Sequence, residues 1–493
     1  MQYVACDLGA GSGRVMLGHL EDDLIRLEEI HRFPDPSVRW LGSDYWQMME
    51  IYQQVRTGLE MIFRQGGCPT SISCDAWGVD YVLGNAANPM LCPPFQYRDR
   101  RTDGWIEKLD ASLGRNGLYA ESGIQSMFFN TVYQLCAHVE SDPATLGAAT
   151  HFLGIGDFMN FLLGGEPKCE VSWASTTALY HPVQRQWSSV LQSKLKLPTQ
   201  IFPSILPSGT VTGKLIDPPR GWESTRIVAS CSHDTAAAVA AVPVQNDGVS
   251  WAYLSSGTWS LLGVELDQPL INADSASENY TNEVGFGHSI RFLKNISGLF
   301  LIQELKKQWA ESGEDLSYEE ITKRAESSPA LSRFIDPQHA DFSTSGNMEE
   351  KIQNYCRRSG QTVPEGVGPI ARCVYESLAL CYRAALEKLE HLTGKKIDRL
   401  HVVGGGCKNP LLNQCTANAL GIEVVAGPDE ATALGNVLIQ ALAMGHIRDL
   451  QHLRAIVAQS VQTQNFHPQE KDAWKEARDR YVLLTQDQTK NNS

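Results

Sequence analysis

The sequence predicts an α/β protein that uses one plan twice, and three observations predict it. Residues 4–17 read Val-Ala-Cys-Asp-Leu-Gly-Ala-Gly-Ser-Gly-Arg-Val-Met-Leu, an apolar run, a glycine-punctuated turn and a second apolar run: strand, tight hairpin, strand. The same order returns at residues 251–264, where Ser255 and Gly257 stand where Asp7 and Gly9 stood. At residues 227–239, and again from residue 400, a strand passes through a few small or polar residues straight into a helix, the alternation that builds parallel sheets.

The opening hairpin suggests its own ligand. Glycines let backbone N–H groups converge on an anion, and Asp7 at the strand end can hold a hydrated cation beside it, so phosphate with magnesium is the natural occupant. A dinucleotide fingerprint would need a third glycine at Arg14 and a helix after it, whereas Val15-Met-Leu-Gly-His-Leu20 continues as a strand. A Walker loop is excluded too, because upstream of the two Gly-Lys pairs stand Ser208 and Leu389 where glycine is required. An ordinary hairpin turn is the alternative for the motif in isolation.

Residues 24–33 alternate as a third antiparallel strand, and helical periodicity covers 48–63. Residues 71–83 read as one strand whose end carries Asp75, Trp77, Gly78 and Asp80, where ligands gather in such sheets. Tyr97-Arg-Asp-Arg-Arg101 opens a polar stretch leading to a helix, either a source of charged contacts or a solvated face. Residues 154–177 give a helix, a polar loop and a serine- and threonine-rich segment to which no chemistry is assigned. The strand from residue 227 ends at Ser232-His-Asp-Thr235, where an alanine-rich helix starts; Asp234 or Thr235 takes the N-cap, and capping and catalysis both stay open there.

Pro, Asn, Asp and Gly cluster at 243–248, marking the domain boundary. Of the two hairpins beyond and before it, only the first carries the carboxylate a metal needs. Apolar residues from Ile370 to Leu392 recur at spacings of three and four, giving an amphipathic helix opened by Pro369 and closed by Gly394. The strand at 400–403 delivers Gly404-Gly-Gly-Cys-Lys-Asn409 and a helix near Pro410, so a flat ring or a phosphate can lie on bare backbone. A strand at 422–426, a helix at 430–444 and a charged helix at 469–484 complete the chain.

A length of 493 residues suggests about two to four domains. The net charge of −14 argues against general nucleic-acid binding, which needs excess Lys and Arg. No run of about 18 apolar residues spans a membrane and no leader pattern is present, so a cytoplasmic protein with small-molecule substrates is expected. The twelve cysteines form no C-x-x-C pair, which gives no zinc or redox motif; whether Cys356 and Cys373 meet is left open.

Taken in order, Asp7-Leu-Gly-Ala-Gly-Ser-Gly-Arg14, Trp77-Gly-Val-Asp80, Tyr97-Arg-Asp99, Ser232-His-Asp-Thr235, Leu254-Ser-Ser-Gly-Thr-Trp259, Leu293-Lys-Asn295 and Val403-Gly-Gly-Gly-Cys407 span nearly the whole chain. With them the sequence resembles the FGGY family of sugar kinases, on the actin-like, ribonuclease-H-like ATPase fold. The resemblance implies a sugar-binding domain over residues 1–244, a nucleotide-binding domain with a helical tail over 245–493, and a catalytic cleft between them. It implies ATP contacts from Ala10, Gly11, Ser12, Gly13, Arg14, Thr258, Gln303, Gly404 and Gly405. Ketose contacts would come from Gly78, His233, Asp234, Thr235 and Asn295, with Asp234 as general base and Mg2+ held through water by Asp7. The implied activity is ATP-dependent phosphorylation of a ketose at its 1-hydroxyl, with L-rhamnulose ahead of L-fuculose, L-ribulose and D-xylulose; the sequence leaves the oligomeric state open, with a monomer favoured. An actin- or chaperone-like ATPase is the alternative of another class; it shares the hairpins, but no peptide-binding β-domain follows the ATPase core here.

Overall fold

Around the opening hairpin the chain lays down a six-stranded sheet in the order Thr210–Lys214, Arg226–Ala229, Ser71–Ala76, Gln2–Leu8, Ser12–Glu21, Leu24–Pro34. This computed structural model describes residues 1–34, 37–114, 116–245 and 247–491. Gln2–Leu8 runs antiparallel to Ser12–Glu21 and parallel to Ser71–Ala76, which is parallel in turn to Arg226–Ala229. Its residues from Tyr3 to Leu8 are all buried, which is why it reads as a continuous apolar run and not as an alternation. The Met48–Arg64 helix buries Met48, Ile51, Val55, Leu59 and Ile62, spaced as one helical face.

Later residues return to this sheet. A side chain on Gly18 would meet Val437 at 2.6 Å, and one on Gly435 would meet the Ala237 carbonyl oxygen at 1.9 Å. Glycine at 435 therefore lets the Ala431–Ala443 helix lie directly on the Asp234–Ala240 helix.

A second sheet has the order Thr281–Val284, Ile290–Ser297, Trp259–Leu266, Trp251–Ser256, Arg399–Val403, Glu423–Ala426, Gln464–Phe466. Trp251–Ser256 is antiparallel to Trp259–Leu266 and parallel to Arg399–Val403, and Arg399–Val403 is parallel to Glu423–Ala426. Each sheet thus has a hairpin strand followed by two parallel neighbours and an antiparallel edge strand, Thr210–Lys214 in one and Gln464–Phe466 in the other. The repeat seen in the sequence is a repeat of topology.

The chain packs as two compact units, Met1–Gln245 with Glu265–Phe292 and Glu430–Ser460, and Asn246–Val264 with Leu293–Asp429 and Val461–Ser493. A change of unit thus falls one residue from the boundary expected at 244/245, while two later stretches pack with the first unit. The close seating of the Ala431–Ala443 helix on residues 18 and 237 is the physical reason for one of them. Asn246, within the expected connector, lies outside the described residues.

Several elements differ from the sequence reading. Residues 71–83 are two strands in different sheets, Ser71–Ala76 and Tyr81–Gly84, because Val79 turns the chain at φ +67°. The long helix begins at Val367, two residues before Pro369, and Leu392 is half-buried where the rest of its stripe is core. The Leu450–Ser460 helix was not anticipated. All twelve cysteines are free; Cys356 and Cys373 lie close enough to influence each other's ionisation and form no disulfide. Among the described residues no helix is long and apolar enough to cross a membrane.

Candidate active site

Register delivers the charged groups to one edge of the first sheet. Asp7 pairs with Asp75 across the parallel ladder, Leu8 with Ala76, and Ala76 bridges to His233. Asp7, Asp75 and the Ser232-His-Asp-Thr235 run therefore meet at the carboxyl ends of parallel strands, the usual ligand edge of such sheets. Asp7 is buried, and its carboxylate accepts from Arg14, which also pairs with Glu430. Arg14, expected to reach a nucleotide, is thus occupied by two carboxylates of its own unit. Asp75 is fully buried; one oxygen accepts from Asn436 and the other has no partner. Burial first, and then the Asp7 charge, push the Asp75 carboxyl well above its ordinary range.

Residues Ala10, Gly11, Ser12 and Gly13 form the turn, closed by Gly9 N–H donating to the Ser12 carbonyl at 3.1 Å. The glycines differ in purpose. A side chain on Gly13 would strike the Phe33 ring at 2.1 Å, whereas nothing lies within 4 Å of one placed on Gly11. Gly13 is small for packing, and Gly11 leaves the backbone open.

His233 caps the Asp234–Ala240 helix, not Asp234 or Thr235 as the sequence suggested. Its backbone is still extended while Asp234 is already helical, and its Nδ1 accepts the Thr235 N–H at 3.1 Å. An accepting Nδ1 places the ring proton on Nε2 of a neutral imidazole. Burial, and then the Arg291 guanidinium, hold the His233 pKa well below its ordinary value. Gly78 makes room for this ring: a Cβ there would stand 2.8 Å from Cδ2 and 2.9 Å from Nε2 of His233.

Asp234 accepts from the Thr235 N–H and, at 3.1 Å, from the Thr235 hydroxyl. Burial, followed by the Asp7 charge, pushes its carboxyl up to about 7, against the pull of those two hydrogen bonds. The group is therefore not an ionised carboxylate across the whole neutral range, as a simple reading of its residue type would hold.

Sequence reasoning missed what stands behind this pair. Glu170, fully buried in the serine- and threonine-rich segment, accepts from Ser172 N–H and Ser232 N–H, each at 2.9 Å, and from the hydroxyls of Ser172 and Ser208. Asp157 accepts from the Ser232 hydroxyl at 2.5 Å. Arg291, also buried, pairs with Glu283 at 3.1 Å and lies close enough to act on both His233 and Asp234. Acidic residues beside serines carry no local pattern that foretells such long-range partners.

The second unit gathers a different set. Gly257 N–H donates to the Trp259 carbonyl at 2.9 Å, closing the second hairpin, and the Thr258 hydroxyl donates to Gln303 Oε1 at 3.1 Å. Gly404, at φ +82°, and Gly406 lie on the same strand end: a side chain on Gly406 would meet Ser256 Oγ at 2.0 Å. Nothing lies within 4 Å of a side chain placed on Gly405. Gly404 and Gly406 thus lie against Ser256, and Thr258, two residues further along the hairpin, is tied to Gln303. Asn295, grouped by the sequence with the sugar contacts, stands in this unit on the Ile290–Ser297 strand.

The arrangement pairs a carboxyl group that ionises near neutrality with a neutral imidazole N–H on one unit, and open glycine backbone with a hydroxyl and an amide on the other. The first can take a proton from an alcohol; the second can seat an anion or a flat ring.

The model for the N-terminal domain of the FGGY family of carbohydrate kinases matches residues 2–241, and that for the C-terminal domain matches residues 252–444. A rhamnulokinase of Bacteroides thetaiotaomicron is 40% identical over 475 residues, covering 96% of this chain and 97% of the relative. One of Bacillus subtilis is 37% identical over 475 residues, covering 96% of each. Among solved structures, gluconate kinase from Lactobacillus acidophilus matches with a TM-score of 0.78 at 17% identity, over 98% of this chain and 97% of that one. Glycerol kinase of Plasmodium falciparum with ADP matches with a TM-score of 0.76 at 14% identity, over 99% and 98%. Likeness at such low identity is likeness of fold, the two-domain sugar-kinase fold implied by the motifs.

Proposed function

The chain belongs to the FGGY family of carbohydrate kinases, phosphotransferases with an alcohol acceptor, and within that family we propose that it transfers the γ-phosphoryl group of ATP to the 1-hydroxyl of L-rhamnulose. One observation supports this substrate above others: the likeness to rhamnulokinases runs over 96% of the chain at up to 40% identity. The site geometry supports the chemistry.

In this reading the first unit handles the acceptor. Asp234 takes the proton of the 1-hydroxyl as that oxygen bonds to the γ-phosphorus and the bond from phosphorus to the leaving oxygen of ADP breaks. His233, with its proton on Nε2, donates to a sugar oxygen and cannot itself act as base through that nitrogen, which favours Asp234 for the role. Gly78 serves the sugar by keeping the imidazole in place, and Thr235 holds the Asp234 carboxyl at a fixed orientation. Asn295 would add a sugar contact. On the nucleotide side, residues 10–14 and Thr258 present N–H and hydroxyl groups to phosphates, with Gln303 orienting the Thr258 hydroxyl and the Gly404–Gly405 backbone seating adenosine.

Asp7 and Asp234 carry the oxygen donors that magnesium prefers, and no cluster of three or more metal-binding side chains exists among the described residues. A cation here would keep most of its water, as magnesium does. Asp7 would hold it through that water, and its charge would offset that of the phosphates. We further infer a monomer acting in the cytoplasm.

The test is coupled ADP release with L-rhamnulose, L-fuculose, L-ribulose, D-xylulose and glycerol as acceptors. L-Rhamnulose should give the highest kcat/KM; equal stimulation by several ketoses would sink the assignment, and turnover indifferent to every sugar would remove the acceptor chemistry proposed here.

A further inference from the structure

The run that carries the proposed base is anchored from one side by a single buried carboxylate. Glu170 Oε2 accepts three hydrogen bonds, from Ser172 N–H, the Ser172 hydroxyl and Ser232 N–H, and Oε1 accepts one from the Ser208 hydroxyl. Ser172 then passes the order onward, because its oxygen accepts the backbone N–H of His233 at 3.1 Å. Two successive backbone N–H groups, those of Ser232 and His233, are thereby fixed directly or through one hydroxyl by Glu170. The Ser232 carbonyl is held as well, accepting from Ala76 N–H at 2.9 Å, and the Ser232 hydroxyl is tied to Asp157. Asp234 follows immediately, its carboxyl accepting from Thr235 and lying 3.3 Å from His233 Nδ1.

We propose that Glu170 is a positioning residue for phosphoryl transfer: it sets the backbone at Ser232 and His233, and so the aim of the His233 imidazole and the Asp234 carboxyl. The proposal rests on the kinase reading above. Glu170 touches neither sugar nor nucleotide in it and acts through Ser172 and Ser232. Its alternative is plain capping, since the same side chain caps the Val171–Thr176 helix through Ser172 N–H. A cap contributes to stability and has no hold on the turnover of molecules that remain folded. A positioning group does, because displacing a reacting group by about 1 Å can cost on the order of 10²-fold in rate.

The four donors to Glu170 are all neutral, so an acceptor of the same shape should replace it. In Glu170→Gln the amide oxygen can take the place of Oε2, and the amide nitrogen can face the Ser208 hydroxyl, which is free to rotate and accept. In Glu170→Ala all four donors lose their partner. The experiment measures kcat, the KM for ATP, the KM for the ketose and the melting temperature of Glu170→Ala, Glu170→Gln and Ser172→Ala, using whichever ketose the parent turns over fastest. Parental turnover tests the kinase reading separately, so the two can fail independently.

Glu170→Ala should lose on the order of 10²-fold in kcat with an unchanged KM for ATP, Glu170→Gln should keep most of the parental kcat, and Ser172→Ala should fall between them. A folded Glu170→Ala enzyme with parental kcat and only a lowered melting temperature would leave capping as the whole role. Equal losses in Glu170→Gln and Glu170→Ala would overturn the account by showing that charge matters and hydrogen-bond acceptance does not. Should Glu170→Ala not fold, Ser172→Ala decides: parental kcat there overturns the proposal, and a fall in kcat at parental ATP KM supports it.

Discussion

In the first hairpin Leu8 faces Gly13 across the last rung and the turn closes from Gly9 to Ser12; in the second, Ser256 faces Ser260 and the turn closes from Gly257 to Trp259, one residue tighter. That register puts Ser255 at the place of Asp7. Asp7 is paired with Arg14 and shares its strand edge with Asp75 and the Asp234 run, while Ser255 lies opposite Leu261 and Val403. One topology has been specialised in two directions. Its first copy concentrates carboxyl groups, so that burial and the Asp7 charge raise the Asp75 and Asp234 carboxyls and leave Asp234 poised near neutrality. Its second copy presents bare backbone, a hydroxyl and an amide. Both hairpins leave open glycine backbone, and only the first sets it beside a cluster of carboxyl groups.

Breaking the charged copy should have the largest effect. Asp234→Asn preserves size and most hydrogen bonds but cannot accept a proton, so turnover should fall by about 10²–10⁴-fold while calorimetry still detects ATP and ketose binding. Parental turnover in a folded variant would reduce Asp234 to a residue of the first helical turn. Asp7→Asn comes next, with a loss of about 10–100-fold in magnesium-dependent turnover and ketose affinity left near parental. Lost ketose affinity with unchanged magnesium dependence would show that Asp7 belongs to the sugar side. In the second copy the effect should be smaller and confined to nucleotide. Thr258→Ala removes one hydrogen bond with Gln303, worth about 0.5–1.5 kcal/mol, so the KM for ATP should rise by no more than about tenfold at an unaltered ketose KM. A change confined to the ketose KM would contradict the division of labour.

Much of this contrast was legible in the sequence, because glycine-punctuated turns and strand-to-helix junctions are local features. The hairpins and the Gly404 turn followed from short motifs, and the grouping of Thr258 with Gln303 from the family resemblance. What escaped was set by distant partners. Residues 71–83 read as one strand since Val79 is β-branched, yet Val79 adopts a left-handed conformation. The adjoining Asp80 explains how such a turn is held: it accepts from Trp46, Trp77, Tyr97 and Gln134, a set drawn from across the unit. Likewise Asp234 seemed the natural helix cap by residue type, and tertiary packing gave that role to His233. The ionisation of Asp234 is likewise set by its surroundings, as burial and Asp7 are invisible to a reading of one residue at a time. Glu170 left no local trace because its donors at 208 and 232 are tens of residues away in sequence.

The pH dependence of kcat/KM for the ketose, measured for the parent and for Asp234→Asn, tests the central claim most directly. A base that must be ionised, with its carboxyl raised to about 7 by burial and Asp7, requires activity to climb with pH through a midpoint near 7 and to level off above it. In Asp234→Asn the residual activity should lose that limb. A parental profile flat across neutrality, or the same rising limb retained in Asp234→Asn, would contradict the assignment of the proton to Asp234.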